Sequence, residues 1–289
     1  MPFPPGGGND IVARIVGQKL TEGFGTQVVI DIRAGAGGNI AAETAARAVP
    51  DGYTLFLGGV GSHGINPVVQ AKVPYDPVRD FAPVTLIASA PLVVVVNPSV
   101  PVKSITDLIN LAKARPGQLN FASSGTGTIA HLAAELLNSM ADIRIEHIPY
   151  KGTGPALTDL LGGQVQLMFN SAVSMLPQVR AGKLRALAIT SARRLPAMPE
   201  LPTVSESGLP GYEAASWYGV LAPAGTQRAI IDKLNREVVR IMQLPNVRER
   251  LIADGADPVG SSPEEFAAHI KRELARWAKV VKNAHIRVQ

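Results

Sequence analysis

The chain contains no cysteine, which excludes disulfide bonds, thiolate metal sites and a thiol nucleophile. Aromatic residues make up only 5% of it, too few for the stacking platforms that hold single-stranded nucleic acids. Its 28 basic residues are scattered without a dense run, so the net charge of +5 reads as a solvated basic surface and no nucleic-acid partner is expected. The longest apolar stretch, Ala88 to Val96, falls well short of the about 20 residues that a membrane-spanning helix needs. His63, His131, His147, His269 and His285 show no spacing such as His-Glu-x-x-His, and no Gly-x-Ser-x-Gly elbow is present. The sequence therefore points to no metal, no cofactor and no catalytic set, and the expectation is a binding protein rather than an enzyme.

What is present is material for two cores. A chain of 289 residues with 46% hydrophobic and 18% charged residues is globular and long enough for two lobes of ordinary size. Ile11, Val12, Ile15, Val16 and Leu20 share one helical face after the glycine run, with Asn9 or Asp10 placed to cap that helix. Gln27 to Ile32 reads as a strand, Asn39 to Ala48 as a helix and Thr54 to Leu57 as a strand, an alternation that predicts βαβ units in a parallel sheet. The apolar run Pro83 to Val96 is a further strand, stopped by Asn97-Pro98-Ser99-Val100-Pro101.

A second αβ series follows. Helices are predicted from Ser104, from Thr128 and over Pro155 to Leu161, with strands at Leu119 to Ala122, Ile143 to Tyr150, Val165 to Phe169 and Leu184 to Thr190. Helices starting near Thr226, Asn246 and Ser262, the last running to about Lys282 with Trp277 on its apolar face, have no strands of their own and are expected to pack back on the first lobe. The chain then crosses between lobes near 98–102 and 217–223. Residues 1–100 with 221–289 form one lobe and 101–220 the other, with a ligand cleft between.

Glycine-bearing loops at the carboxyl ends of strands let backbone N–H groups approach an anion, and helix N-termini add positive partial charge. Gly6-Gly7-Gly8-Asn9 and Gly35-Ala36-Gly37-Gly38-Asn39 are such loops in the first half, and Ser124, Thr126 and Thr128 surround another in the second. Gly125 to Ala130 formally fits a dinucleotide fingerprint, but Glu146 falls inside a strand rather than at its carboxyl end, which argues against NAD. His131 reads as a packed, hydrogen-bonded imidazole, a cleft-facing role being the alternative. Lys151 reads as solvated, and Trp217-Tyr218 as hinge packing or a wall against the ligand.

Several segments together resemble the Bug (TctC-type) receptors of tripartite tricarboxylate transporters. They are Pro2-Phe3-Pro4-Pro5-Gly6-Gly7-Gly8, Pro50-Asp51-Gly52-Tyr53-Thr54, Phe81-Ala82-Pro83-Val84, Ser123-Ser124-Gly125-Thr126-Gly127 with His131, Pro149-Tyr150-Lys151-Gly152 and Ala222-Pro223-Ala224-Gly225-Thr226. The resemblance spans essentially the whole chain. It implies a type II periplasmic-binding-protein fold of two Rossmann-like lobes joined by two crossover segments, and Venus-flytrap closure on a small organic carboxylate. It also implies a periplasmic location, a monomer, and delivery of the ligand to membrane permease subunits; a sensing module that hands occupancy to a signalling partner is the alternative. Gly7, Gly8, Asn9, Gly59, Ser62, Ser124, Thr126, Gly127, Thr128, Gly152, Thr153, Asn170 and Ser171 are the ligand-contact candidates.

Three departures from the family pattern bear on this reading. The chain has Asn9 where Ser or Thr is usual and Ala34 where Pro is usual. It has Asn170-Ser171 where Asp-Asn is usual, which removes an anion from the cleft wall and disfavours an ammonium-bearing ligand. Family members also run a secretion signal and a short apolar strand into the Pro-Phe-Pro-Pro loop; neither precedes that loop here, so an apolar slot with unpaired backbone beside it is expected.

Overall fold

The structure, a computed structural model, describes residues 1–2 and 4–283, so Phe3 and His285 lie outside the described residues. In chain order its elements are α1 (Gly8–Phe24), α2 (Asn39–Ala46), β1 (Phe56–Gly59), α3 (Asn66–Val69), β2 (Phe81–Val96), α4 (Ile105–Ala114) and β3 (Asn120–Ser123). There follow α5 (Ile129–Ala141), β4 (Glu146–Pro149), α6 (Thr153–Leu161), β5 (Leu167–Ser171), α7 (Ala172–Arg180), β6 (Arg185–Ile189) and β7 (Ala215–Pro223). The chain closes with α8 (Arg228–Gln243), α9 (Pro245–Ala253), β8 (Asp257–Pro258) and α10 (Pro263–Asn283). No helix among the described residues is long and apolar enough to cross a membrane.

β2 belongs to both halves of the molecule. Phe81 to Pro91 pair antiparallel with β7, which in turn pairs with β1. From Leu92 to Val96 the same strand pairs instead with β5 and β6, and β5 continues through β3 to β4 in parallel. Pro91 has no N–H to give to a ladder, and the sheet changes at that residue. The return crossing lies at Ala214, whose N–H donates to Thr190 just before β7 begins. The crossings are therefore at Pro91/Leu92 and Ala214/Ala215 rather than at 98–102 and 217–223. A strand that serves two sheets gives no compositional break to mark the passage.

Both sheets are covered on both faces. In the first, Val12, Ile15, Val16 and Leu20 of α1 pack with Val238 and Ile241 of α8 on one side. Phe266, Ile270 and Trp277 of α10 pack with Phe56 and Trp217 on the other, so the terminal helices cover the first sheet as expected. In the second, Val93 and Val95 face Leu160 and Met175 while Val94 and Val96 face Leu108 and Leu132. The unbroken apolar run of β2 follows from this two-sided burial, since alternate side chains enter opposite cores.

Four expectations are corrected. Gln27 to Ile32 forms no strand and joins no ladder, and the first sheet is antiparallel rather than parallel. Between that segment and β1 runs a slot of about 780 Å³ lined by Val16, Leu20, Val28, Ile30, Leu55 and Leu57 among others. Arg33 N–H donates to the Met1 carbonyl at 3.0 Å at one end of it. α1 begins at Gly8 with Gly7 as its cap, and Asp10 reaches back to Gly6 N–H at 3.2 Å rather than standing outside the helix. Finally, β5 lies two residues later than predicted, so Asn170 and Ser171 end the strand and open α7, a helix the sequence pattern did not reveal because Pro177 interrupts it.

Candidate ligand-binding site

Where β2 changes sheets, a cleft of about 60 Å³ opens between the two halves. Five helices begin on its wall. α1 starts after Gly7, α2 after Gly38, α5 after Thr128, α6 at Thr153 and α7 after Ser171, and all five of these residues line the cleft. The opening N–H groups of a helix have no carbonyl one turn back, and the helix dipole leaves partial positive charge there. Three of these helices are capped by glycines, Gly7, Gly38 and Gly152, and the side chains of the other two caps, Thr128 and Ser171, make no capping hydrogen bond. The donors converge from both sheets, the arrangement that holds carboxylates and phosphates.

Neutral hydrogen-bonding groups complete the wall. Tyr218 Oη donates to Ser171 Oγ at 3.0 Å, linking β7 to the start of α7, and burial raises the Tyr218 pKa, so the phenol keeps its proton. Ser171 N–H donates to Asn170 Oδ1 at 2.7 Å, and Asn170 Nδ2 donates to Thr153 Oγ1 at 3.2 Å. Ser62 Oγ lies 3.0 Å from His63 Nδ1. His63 is fully buried and held neutral, its pKa lowered by burial to about 3. No charged residue lines the cleft among the described residues, and Lys151 is exposed to solvent.

Gly8 sits against the Tyr218 hydroxyl. A Cβ placed on it would come 2.1 Å from Tyr218 Oη and 3.0 Å from Ser171 Oγ, so at this position the backbone approaches the wall in a way only glycine permits. Across the cleft, a Cβ on Gly7 would meet Thr153 Oγ1 at 3.3 Å. The two halves are thus in contact at the site.

Of the residues expected from sequence, Gly7, Gly8, Asn9, Gly59, Ser62, Ser124, Thr128, Thr153, Asn170 and Ser171 come together on the cleft wall. Thr126, Gly127 and Gly152 do not. Gly127 N–H donates inward to His131 Nδ1 at 3.2 Å, and Gly152 N–H donates to the Ser124 carbonyl at 3.1 Å. Thr126 stands at the rim, its carbonyl 3.3 Å from where a Gly37 Cβ would lie. The inward Gly127 N–H also removes a donor that a dinucleotide pyrophosphate would use. Trp217 and Tyr218 line the cleft, as do Val60, Leu92, Ile129 and Ser216, which sequence reasoning did not single out. Leu92 and Ser216 carried no signal because their place depends on where β2 and β7 cross.

The family model described as tripartite tricarboxylate transporter family receptor, TctC, matches residues 12–286. This chain belongs to the TctC receptor family. Rpa4515 of R. palustris, solved with adipate, is 42% identical, superposes with a TM-score of 0.97, and is matched over 99% of this chain and 96% of its own. MatC of Rhodopseudomonas palustris, solved with bound malate, is 36% identical with a TM-score of 0.92, over 97% of this chain and 96% of its own. The periplasmic binding protein BugD is 34% identical with a TM-score of 0.94, over 100% of this chain and 97% of its own. TctC receptors are two-lobed solute-binding proteins, not enzymes, and the chain has their fold.

Proposed function

We propose that this chain is a periplasmic receptor that captures a small dicarboxylate between its lobes and presents it to the membrane permease of a tripartite tricarboxylate transporter. The observation that carries the reading is the convergence of five helix N-termini on a cleft with no charged residue. Such a site supplies positive potential and N–H donors to an anion and no counter-charge to an ammonium group. The adipate and malate held by two relatives support the dicarboxylate class. Gly7, Gly8, Ser171 and Thr153 are the contacts we assign to one carboxylate, with Leu92, Ile129 and Trp217 beside the carbon chain. Contacts between the halves at Gly7 and Thr153 support closure over the ligand about the Leu92 and Ala214 crossings. We assign the protein as a monomer whose lobes divide at these crossings.

Titration calorimetry with adipate and malate tests the capture, and small-angle scattering with and without them tests closure. One site per chain and a smaller radius of gyration are expected. Silence across mono-, di- and tricarboxylates would overturn the assignment.

A further inference from the structure

Behind the Ser124 to Thr128 loop, on the side away from the cleft, two histidine rings lie face to face. His131 of α5 and His147 of β4 are stacked with centroids 3.9 Å apart and planes inclined by 13°. Phe121 of β3 stacks on His147 at 4.9 Å. Each imidazole meets the loop through a different atom. Gly127 N–H donates to His131 Nδ1 at 3.2 Å. His147 Nε2 lies 2.6 Å from Ser123 Oγ, which accepts Gly125 N–H at 3.1 Å and lies 3.0 Å from the Gly125 carbonyl. Thr128 Oγ1 closes the turn by donating to that carbonyl at 2.7 Å.

We propose that the stacked His131 and His147 are positioning residues for ligand capture, holding the Ser123 to Thr128 loop from behind so that its remaining donors face the cleft. The inference rests on the receptor reading above, but neither histidine lines the cleft. An N–H donor pointing at Nδ1 requires that nitrogen to be unprotonated, so His131 carries its proton on Nε2, which faces Glu135 Oε1 at 3.9 Å. Burial lowers the pKa of His131 to about 4 and that of His147 to about 3, the latter also through His131, which keeps both rings neutral at neutral pH. The ionisable groups near the pair are Glu135 on α5 and Glu146 on β4, the second paired with Arg144. Burial raises the Glu135 pKa. Losing the Nδ1 acceptor leaves the buried Gly127 N–H without a partner, and the turn can then relax away from the geometry that serves the ligand.

The test has two readouts, one independent of any ligand. In the free protein, amide exchange at Gly125 to Thr128 and the ¹⁵N shifts of the His131 ring are measured at pH 7. In parallel, binding of adipate and malate is measured by calorimetry for wild type, His131→Leu and His131→Asn. Wild type is expected to show the Nε2–H tautomer and a protected Gly127 amide. His131→Leu is expected to raise exchange at Gly127 and weaken binding, each by about tenfold or more. His131→Asn, whose Oδ1 stands near the place of Nδ1, is expected to restore most of both. An Nδ1–H tautomer, unchanged exchange and affinity in His131→Leu, or no rescue by Asn would overturn the proposal. Should wild type bind neither acid, the tautomer and exchange still decide the loop's positioning, and the failure belongs to the receptor reading. Should the Leu variant not fold, the wild-type tautomer alone decides.

Discussion

Thr190 accepts a hydrogen bond from the Leu92 N–H at 2.8 Å, at the residue where β2 leaves one sheet for the other. The Thr190 N–H returns a bond to the Leu92 carbonyl at 2.9 Å, and the Ala214 N–H donates to the Thr190 carbonyl at 2.8 Å. The Thr190 hydroxyl also lies within donating distance of the Leu92 and Ala214 carbonyls. One fully buried side chain thus ties both crossings together. The two passing strands therefore share one hydrogen-bonding partner.

Replacing this threonine with an apolar isostere isolates that role. Thr190→Val keeps the volume and leaves the Leu92 N–H buried without its acceptor, so stability should fall by about 1–3 kcal/mol. Urea unfolding measures it, and a change within error would show that the hydroxyl is not needed at the crossing.

At Gly8 the obstacle is a single hydroxyl. Gly8→Ala should abolish measurable adipate and malate binding, since the new methyl would overlap Tyr218 Oη. Combining it with Tyr218→Phe should recover part of the affinity, because the colliding oxygen is gone while its ring carbon stays 3.0 Å away. Calorimetry on the single and double variants decides whether the approach of α1 to β7 sets the site.

Asn170→Asp tests the uncharged character of the cleft. The carboxylate can still accept the Ser171 N–H that Asn170 Oδ1 accepts now, so folding should survive. A negative charge at this buried position should repel a dicarboxylate and cut affinity by about a hundredfold. Undiminished binding would place the ligand's charged ends elsewhere.

Acid should weaken the fold before it titrates the carboxylates. Burial lowers the pKa of His63 to about 3, of His131 to about 4 and of His147, with a further contribution from His131, to about 3. In the unfolded chain each histidine titrates near about 6.5. Below that value the unfolded state binds protons that the folded state does not. The stability present above pH 6.5 is therefore lost as pH falls toward 4, by roughly 1 kcal/mol per pH unit for each of His63 and His131, with a smaller, solvent-screened share from His147. Urea unfolding at pH 7.5, 6 and 5 should show this decline, and a flat profile would contradict the neutral burial of these rings.

Thr126→Val separates the sequence reading from the structure. Sequence places the Thr126 hydroxyl among the ligand donors, whereas the fold sets this residue at the rim. Adipate affinity should change by less than about threefold, under 0.7 kcal/mol, when the hydroxyl is removed. A larger loss would put Thr126 back on the ligand.

Most of the second half was legible because its signals are local. Ser104 caps α4 through the Asp107 N–H, and Thr128 precedes α5, as the sequence predicts. The first sheet was not legible, because pairing of β1 with β7 joins residues more than 150 positions apart and no periodicity encodes it. Asn170 and Ser171 were recognisable as candidates, yet their role at the end of β5 depends on a two-residue register that only cross-strand packing with β2 fixes.

By itself the sequence determined the kind of molecule this is. Zero cysteines, scattered charge and glycine or hydroxyl loops before helices are properties of neighbouring residues, and they lead to the expectation of a binding protein whose donors are uncharged. Tertiary structure alone decided which of those loops meet. It drew Gly7, Gly38, Thr128, Thr153 and Ser171 onto one cleft and turned Gly127 inward to His131. The physical reason is that a helix N-terminus attracts an anion wherever it lies, but a site forms only where long-range strand pairing aims several of them at the same point.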